Sequence, residues 1–145
     1  MFVLSGFADE ISPELDVQLR VLQALDIHYL ELRGVWGKGV LDLTDQEIRT
    51  LKTELDACGI GVSAIGSPIG KIGINDPFPP HLEAFRRAVG LAEYLGSSYV
   101  RLFSFFVPED EAAAYRSAVM DRMAALLDAV SGHPVTLLHE NERHI

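Results

Sequence analysis

Short apolar runs alternate along this chain with longer stretches in which apolar residues recur every three or four positions. Short runs bounded by glycine or polar residues are typical of buried strands, and the longer periodic stretches are typical of amphipathic helices. Five strands are predicted, at 2–4, 27–32, 61–65, 99–103 and 135–138. Their starts recur at intervals close to the length of one strand plus one helix, so we expect four such units and a last strand.

Capping residues mark the ends of the predicted helices. Ser12 followed by Pro13 predicts the start of the first helix, and Thr44 with Glu47 is typical of a capping box at the start of the second. Gly59 is placed to end the second helix. The four predicted helices are bounded by residues 12 and 25, 44 and 59, 80 and 96, and 110 and 131.

The alternation of strands and helices predicts a parallel sheet, for which two architectures compete. A doubly wound dinucleotide-binding sheet would have the pattern G-x-G-x-x-G after its first strand, whereas residues 5–10 are S-G-F-A-D-E. Polar groups instead follow every predicted strand, as they do around the mouth of an α/β barrel. We therefore predict a partial (β/α) TIM barrel in one domain, residues 1–145, with five parallel strands in sequential order and four helices on one face.

Composition narrows the function classes. The chain has 145 residues, of which 48% are hydrophobic, which suits one domain with a sizeable core. Its formal net charge of -9 argues against nucleic acid as the main partner. The single cysteine, Cys58, cannot form an internal disulfide. Neither a basic leader nor a run of 18 apolar residues is present, so we expect no membrane partner and a cytoplasmic protein.

Glu140 is the strongest candidate for chemistry. It follows a strand rich in Val and Leu, where a carboxylate must be paired, bound to a metal or protonated. Glu142 shares its face only if the strand continues, and the alternative is that both are solvated loop acids. The pair His139-Glu140 does not begin a zinc-protease motif, because position 143 is Arg where that motif has a second His.

Further candidates follow the other strands. Glu31 and Arg33 are two residues apart and share a face in a strand, where they could contact a substrate or simply pair. Arg101 lies in an apolar strand and needs a partner for its charge, and Lys71 lies in a glycine-bracketed loop where it could meet a ligand oxygen or solvent. Trp36, in a glycine-rich loop, is expected either to form an apolar pocket wall or to pack within the loop.

Several acidic and histidine side chains at the ends of predicted strands and helices are expected to have structural rather than catalytic roles. Asp9 and Glu10 follow the first strand and are interpreted as acids of a first helical turn, although a place in the site is the alternative. His28, His81 and His133 fall at element boundaries and are expected on the surface.

Four segments together resemble one known family. They are G-F-A-D-E at 6–10, Y-L-E-L-R at 29–33, S-P-I-G-K at 67–71 and L-H-E-N-E at 138–142. In this order and after these strands, they resemble the xylose isomerase-like TIM barrel superfamily, and within it the sugar phosphate isomerase/epimerase group. The resemblance covers the whole chain but only the N-terminal part of the family's barrel.

The resemblance implies an eight-stranded barrel that binds a divalent metal (Mn, Mg, Co or Zn) at its C-terminal mouth and acts on a sugar or sugar phosphate. In such enzymes two metal-bound Glu residues move a proton between adjacent carbons, and the first of them matches Glu140, which would be both catalytic and metal-binding. The family's substrate contacts match Glu31, Arg33, Lys71 and Arg101. The other metal ligands, an Asp, a His and a second Glu, lie on later strands.

Because only one of these ligands has a counterpart, the chain is expected to be truncated, with weak metal binding or none. Five strands would also leave one face of the sheet open, so self-association through apolar residues there is expected. The residues predicted on that face are Val3, Val100 or Leu102, and Leu137 or Leu138.

Two alternatives remain open at the level of sequence. One is a non-catalytic barrel fragment that associates with another chain. The other is the endonuclease IV branch of the same superfamily, which cleaves DNA at abasic sites, and the acidic charge weighs against it.

Overall fold

The structure is a computed structural model and describes residues 2–142. Its strands are β1 Ser5–Gly6, β2 Tyr29–Leu32, β3 Gly34–Val35, β4 Lys38–Gly39, β5 Gly61–Gly66, β6 Tyr99–Leu102 and β7 Thr136–His139. Its α-helices are α1 Leu15–Ala24, α2 Asp45–Cys58, α3 Phe78–Leu95 and α4 Ala112–Val130. Short 3₁₀ helices cover Ala8–Glu10, Val40–Asp42 and Glu109–Glu111.

Five of the strands form one parallel sheet in the order β1-β2-β5-β6-β7, which is their order along the chain. This confirms the prediction of five parallel strands laid down sequentially. Right-handed crossovers between neighbouring strands carry every intervening helix to the same side of such a sheet. Contacts between α1 and α2, and between α3 and α4, agree with helices that pack side by side on one face of the sheet.

The hydrophobic core lies between the sheet and the helices. Val100 and Leu102 of β6 are fully buried there, together with Leu30 and Leu32 of β2. The prediction that Val100 or Leu102 faces the open side of the sheet is therefore wrong. Side chains alternate along a strand, and Arg101 takes the other face.

The face of the sheet away from the core is more polar than predicted. Ser5 and Ser63 meet there through their hydroxyl groups at 2.6 Å, and together with Tyr29 and Tyr99 they line a cavity of about 350 Å³. Leu138 pairs in register with Arg101, so it lies on this face and is 40% exposed. The open face thus combines aromatic and aliphatic surface with hydroxyl groups.

Two predicted boundaries near the N-terminus are wrong. The first strand is Ser5–Gly6 rather than residues 2–4, because its partner β2 begins only at Tyr29, which pairs with Ser5. The first helix begins at Leu15 rather than after Ser12, whose hydroxyl accepts the Glu14 N–H at 3.1 Å.

The capping residues of the second and third helices are confirmed. Thr44 and Glu47 form both hydrogen bonds of a capping box at the start of α2. Gly59 and Gly96 end α2 and α3 in the left-handed conformation that glycine adopts without strain. Within residues 2–142, none of the helices is both long and apolar enough to cross a membrane.

Candidate active site

The carboxyl ends of the parallel strands bring three predicted site residues into one ion-pair cluster. Arg101 of β6 donates from Nε to Glu31 Oε1 of β2 at 2.7 Å, and its Nη1 lies 3.0 Å from Glu140 Oε2, just beyond β7. The Arg101 side chain is only 11% exposed, whereas that of Glu140 is 43% exposed. One buried cation therefore holds two carboxylates, and Glu140 keeps access to solvent.

Gly66, at the end of β5, makes this pairing possible. β5 lies between β2 and β6, so the Arg101–Glu31 bond has to pass over it. A Cβ at Gly66 would lie 3.0 Å from both Arg101 Nη2 and Glu31 Oε1, and 3.3 Å from Arg33 Cβ. The absence of a side chain leaves room for the two charged groups to meet.

Arg33 does not pair with Glu31, although Glu31 lies on β2 and Arg33 directly follows that strand. Its Nε donates to Asp9 Oδ2 and its Nη2 to Glu10 Oε1, each at 2.8 Å. These side-chain hydrogen bonds raise the pKa of Arg33 above its usual value. Asp9 and Glu10 thus lie in a short 3₁₀ helix, as the helical interpretation of the sequence expects. They also pair with Arg33, a predicted site residue, as the alternative expects.

Lys71 is held at the site by the loop that follows β5. Its Nζ lies 2.7 Å from Glu142 Oε2. The preceding residue, Gly70, has φ of +92° and lies so close to Phe103 that a Cβ would be 2.1 Å from the Phe103 carbonyl oxygen. Only glycine fits this position, which fixes the direction from which Lys71 enters the site.

The same loop is fixed from its other side by His81. The Gly70 N–H donates to His81 Nε2 at 2.8 Å, so this ring nitrogen carries no proton. Burial, followed by the positive charge of Arg122, lowers the pKa of His81. His81 is half-buried and has a structural partner, so the expectation that it lies on the surface is wrong.

Two phenylalanine rings pack against the cations. The Phe7 ring centroid lies 4.6 Å from Arg33 Cζ and 5.7 Å from Arg101 Cζ. The Phe103 centroid lies 4.8 Å from Arg101 Cζ and 4.2 Å from Lys71 Nζ. Cations at these distances are attracted to the ring face, so the aromatic rings help to orient the three basic side chains.

A cavity of about 390 Å³ opens beside this cluster. Arg33, Lys71 and Arg101 line it, together with residues that include Asp42, Gly66 and Ser67. Its volume is in the range of small-molecule sites. Sequence reasoning selected the three basic residues and missed Asp42, for which the sequence offers no distinguishing pattern.

Trp36 does not line this cavity and instead packs against the hydrophobic core. It forms the turn of a hairpin between β3 and β4, with φ of 54°, followed by Gly37 with φ of 70°. The backbone N–H of Trp36 donates to the Pro13 carbonyl oxygen at 2.6 Å, and the indole ring packs against the hydrophobic core. This is the loop-packing alternative, and the hairpin itself was not predicted.

The described residues do not by themselves fit a divalent metal. Within residues 2–142, no group of three or more His, Cys, Asp and Glu side chains is placed to hold one. Glu140 could supply one ligand, but its carboxylate is engaged by Arg101. His139 pairs in register with Leu102 and so lies on the opposite face of β7 from Glu140.

Comparison with models of protein families finds no match, and a search of curated proteins also finds none. Solved structures do match. A xylose isomerase-like TIM barrel protein from Mycobacterium smegmatis, in complex with magnesium, is 18% identical with a TM-score of 0.72, over 98% of this chain and 55% of that one. The 3-keto-D-glucoside 4-epimerase from E. coli is 12% identical with a TM-score of 0.72, over 99% and 57%.

A probable 3-DHS dehydratase from Bacillus anthracis is 15% identical with a TM-score of 0.75, and the match covers 99% of this chain and 53% of that chain. The chain thus spans about half the length of the solved structures that it matches. At sequence identities this low, the structural similarity establishes a common fold and nothing further. The chain has the xylose isomerase-like TIM-barrel fold over about half of a barrel.

Proposed function

We propose that the protein is a sugar isomerase or epimerase that moves a proton between adjacent sugar carbons with the help of a divalent metal ion. In this proposal the described residues supply half of the active site. The remaining strands, and with them further metal ligands, come from outside these residues. Solved structures of similar fold include a 3-keto-D-glucoside 4-epimerase and a D-tagatose 3-epimerase-like protein, and this supports a carbonyl sugar as the substrate.

The observation that carries the proposal is the position of Glu140. Its carboxylate lies at the carboxyl end of β7, on the same face as Arg101, with 43% of the side chain exposed. Arg101 holds one carboxylate oxygen, Oε2, at 3.0 Å. In this proposal the other oxygen, Oε1, accepts a proton from a sugar carbon or hydroxyl group, so that Glu140 acts as the general base.

The basic residues around the cavity have the complementary role of binding and orienting the sugar. Arg101, Lys71 and Arg33 present N–H donors whose directions are fixed by carboxylates and aromatic rings. Donors fixed in this way can hold the carbonyl and hydroxyl oxygens of a sugar without reorganising during the reaction. Glu31 acts through Arg101 and is therefore a positioning residue.

A divalent ion is part of the proposal because the structures of similar fold include one with magnesium and one with a bound zinc atom. When bound, such an ion polarises a substrate carbonyl and stabilises negative charge that develops on its oxygen. Glu140 is the one residue of the described part that we assign to it.

Solvent exchange of a substrate proton tests the proposal. The protein, in a form that carries the remaining barrel strands, is incubated with ketoses in D₂O and Mg²⁺, and NMR detects deuterium at the carbon next to the carbonyl. We expect Glu140→Gln to slow the exchange about 100-fold or more, because the general base is lost. Glu54→Gln, an exposed substitution on α2, should leave the rate unchanged. Exchange at the unchanged rate in Glu140→Gln, or no exchange in the unsubstituted protein, would overturn the proposal.

A further inference from the structure

Gly70 and Lys71 form a two-residue arch between two backbone ties. The carbonyl groups of Ile69 and Ile72, on either side of the arch, each accept a backbone N–H from the segment that follows β6, at 2.8 and 2.9 Å. Within the arch, the backbone is fastened to α3 through the Gly70 N–H, which donates to His81 Nε2 at 2.8 Å. Loss of this one bond would therefore free the arch while the loop on either side of it stays in place.

We propose that His81 is a pH-sensitive latch on this arch: its neutral ring holds Lys71 at the cavity, and protonation of the ring releases it. A neutral imidazole accepts a hydrogen bond at one ring nitrogen, whereas a protonated ring donates from both. Two donors would then face each other across the 2.8 Å between Gly70 and His81, so the closed arch disfavours the protonated ring. The inference concerns the movement of the loop and holds whatever molecule the cavity binds.

The surroundings of His81 favour the neutral ring while the arch is closed. The Phe105 ring lies between two elements here, with its centroid 6.1 Å from that of His81 on α3 and 5.3 Å from Cζ of Arg122 on α4. Burial, followed by the positive charge of Arg122, lowers the pKa of His81. His81 also lies in the first turn of α3, where the helix dipole opposes a positive charge. The nearby acid on that helix, Glu83, pairs with Arg86.

The carboxylates of the loop and of the segment after β7 are engaged elsewhere. Asp76 accepts the Gly73 N–H at 2.7 Å, and Glu142 pairs with Lys71, also at 2.7 Å. Arg122 is held in place by two backbone carbonyl oxygens, that of Gly73 at 3.3 Å and that of Asp76 at 2.7 Å. A carboxylate beside the His81 ring would stabilise its protonated form, whereas a fixed guanidinium group destabilises it.

The coupling between protonation and opening sets the size of the effect. In the open arch the His81 ring has its ordinary pKa of 6.5, and in the closed arch its pKa is lower. At pH 7.5 the ring is neutral in both states, and the arch stays closed. As the pH falls below 6.5, the open state takes up a proton that the closed state does not. The ratio of open to closed arch then rises, by up to about tenfold at pH 5.5.

Hydrogen–deuterium exchange of the 145-residue chain, read by mass spectrometry that resolves single amides, tests the inference. After correction for the intrinsic effect of pH, we expect the Gly70 and Lys71 amides to exchange about five- to tenfold faster at pH 5.5 than at pH 7.5. The amides of β6 should stay protected over the same time, because the opening is local. Exchange of the imidazole C2 hydrogen gives the pH at which His81 protonates, and the acceleration should level off there.

Three variants separate the latch from a merely structural contact. In His81→Gln, the side-chain amide oxygen can replace Nε2 as the acceptor and does not titrate, so the Gly70 amide should exchange slowly at both pH values. In His81→Leu the acceptor is lost, and exchange should be fast at both. His28→Asn is the matched control, because it removes an exposed imidazole before β2 and should keep the pH dependence of the loop. Circular dichroism confirms that each variant keeps its helix content.

Acceleration confined to the Gly70 and Lys71 amides, and absent from His81→Gln, would support the inference. A change of less than about twofold between the two pH values would overturn it. Equal acceleration of the β6 amides would also overturn it, because the whole chain would then be opening. So would an acceleration that continues well below the pH at which His81 protonates, since another group would then control the loop.

Discussion

Arg101 and Glu31 form an ion pair that crosses a strand. They lie on β6 and β2, on either side of β5, and their side chains meet at 2.7 Å over Gly66. The pair is largely withdrawn from water, with 11% of the Arg101 and 23% of the Glu31 side chain exposed. It therefore fixes three neighbouring strands relative to one another at the edge of the sheet where the candidate active site lies.

Gly66→Ala is expected to lower the free energy of unfolding by about 1–3 kcal/mol, because the new methyl group forces Arg101, Glu31 or Arg33 to move. Chemical denaturation measures the change. Gly90→Ala is the matched control: Gly90 is exposed within α3, and a Cβ there would meet no atom within 4 Å. That control should gain about 0.8–1 kcal/mol from helix propensity. A loss of stability in both variants, or in neither, would contradict this account of Gly66.

Arg101→Leu is expected to lower the free energy of unfolding by about 1.5–3 kcal/mol, because Glu31 and Glu140 lose their shared cationic partner. The double variant Arg101→Leu with Glu31→Leu should recover part of this loss, since it removes one of the unpaired carboxylates. Denaturation of the two single variants and the double variant gives the coupling energy. Strictly additive effects would show that the pair contributes no interaction energy.

Stability is expected to depend on the protonation of His81. Burial and the charge of Arg122 lower its pKa in the folded protein below the ordinary value of 6.5. As pH falls below 6.5, the unfolded chain takes up a proton that the folded chain does not, so folding stability falls until the folded-state pKa is reached. Urea midpoints at several pH values between 7.5 and 5 measure this loss.

Two variants identify the group responsible for the pH dependence. His81→Leu should be less stable near pH 7.5, by about 1–3 kcal/mol, because the Gly70 N–H loses its acceptor. It should also lose less stability than the unsubstituted chain as pH falls. Leu127→Asn, which changes an exposed residue of α4 and adds no group that titrates in this range, should keep the original pH dependence. An unchanged slope in His81→Leu would assign the effect to another group.

Copies of the chain are expected to associate with one another through the open face of the sheet. Tyr99 is 44% exposed on this face, and Tyr94 is 50% exposed on α3 in the helix layer. Sedimentation velocity over a range of concentrations should show assemblies for the unsubstituted chain and weaker association for Tyr99→Gln, which removes apolar area from the open face. Tyr94→Gln should associate as the unsubstituted chain does. A monomer at all concentrations would contradict the prediction.

Elements specified by neighbouring residues could be predicted from the sequence. The capping box of Thr44 and Glu47 and the glycine that ends α2 depend on contacts within a few positions of the chain. The strand order also followed from the sequence, because right-handed connections between successive strands leave few arrangements. The hairpin at Trp36 could not be predicted in this way, because its turn places a non-glycine residue at positive φ.

The candidate site was only partly predictable for a different reason. Sequence patterns indicated that Glu31, Arg33, Lys71, Arg101 and Glu140 lie on or just after strands of one parallel sheet, which brings them to one edge. The pairing of these charges depends on distances across the sheet, which no local pattern records. Arg33 therefore pairs with Asp9 and Glu10, which precede it by 24 and 23 residues, instead of Glu31. His81, on α3, fixes the Lys71 loop by accepting the Gly70 N–H.

The sequence by itself determined the βα repeat, both ends of α2, the C-terminal end of α3 and the set of charged residues at the strand ends, because these depend on periodicity and on neighbours along the chain. The tertiary structure alone decided which charges meet, which face of β6 is buried, and that Gly66 and Gly70 are needed for close approach. Those features arise where segments distant in sequence come within hydrogen-bonding or van der Waals distance, and only the packed sheet sets such distances.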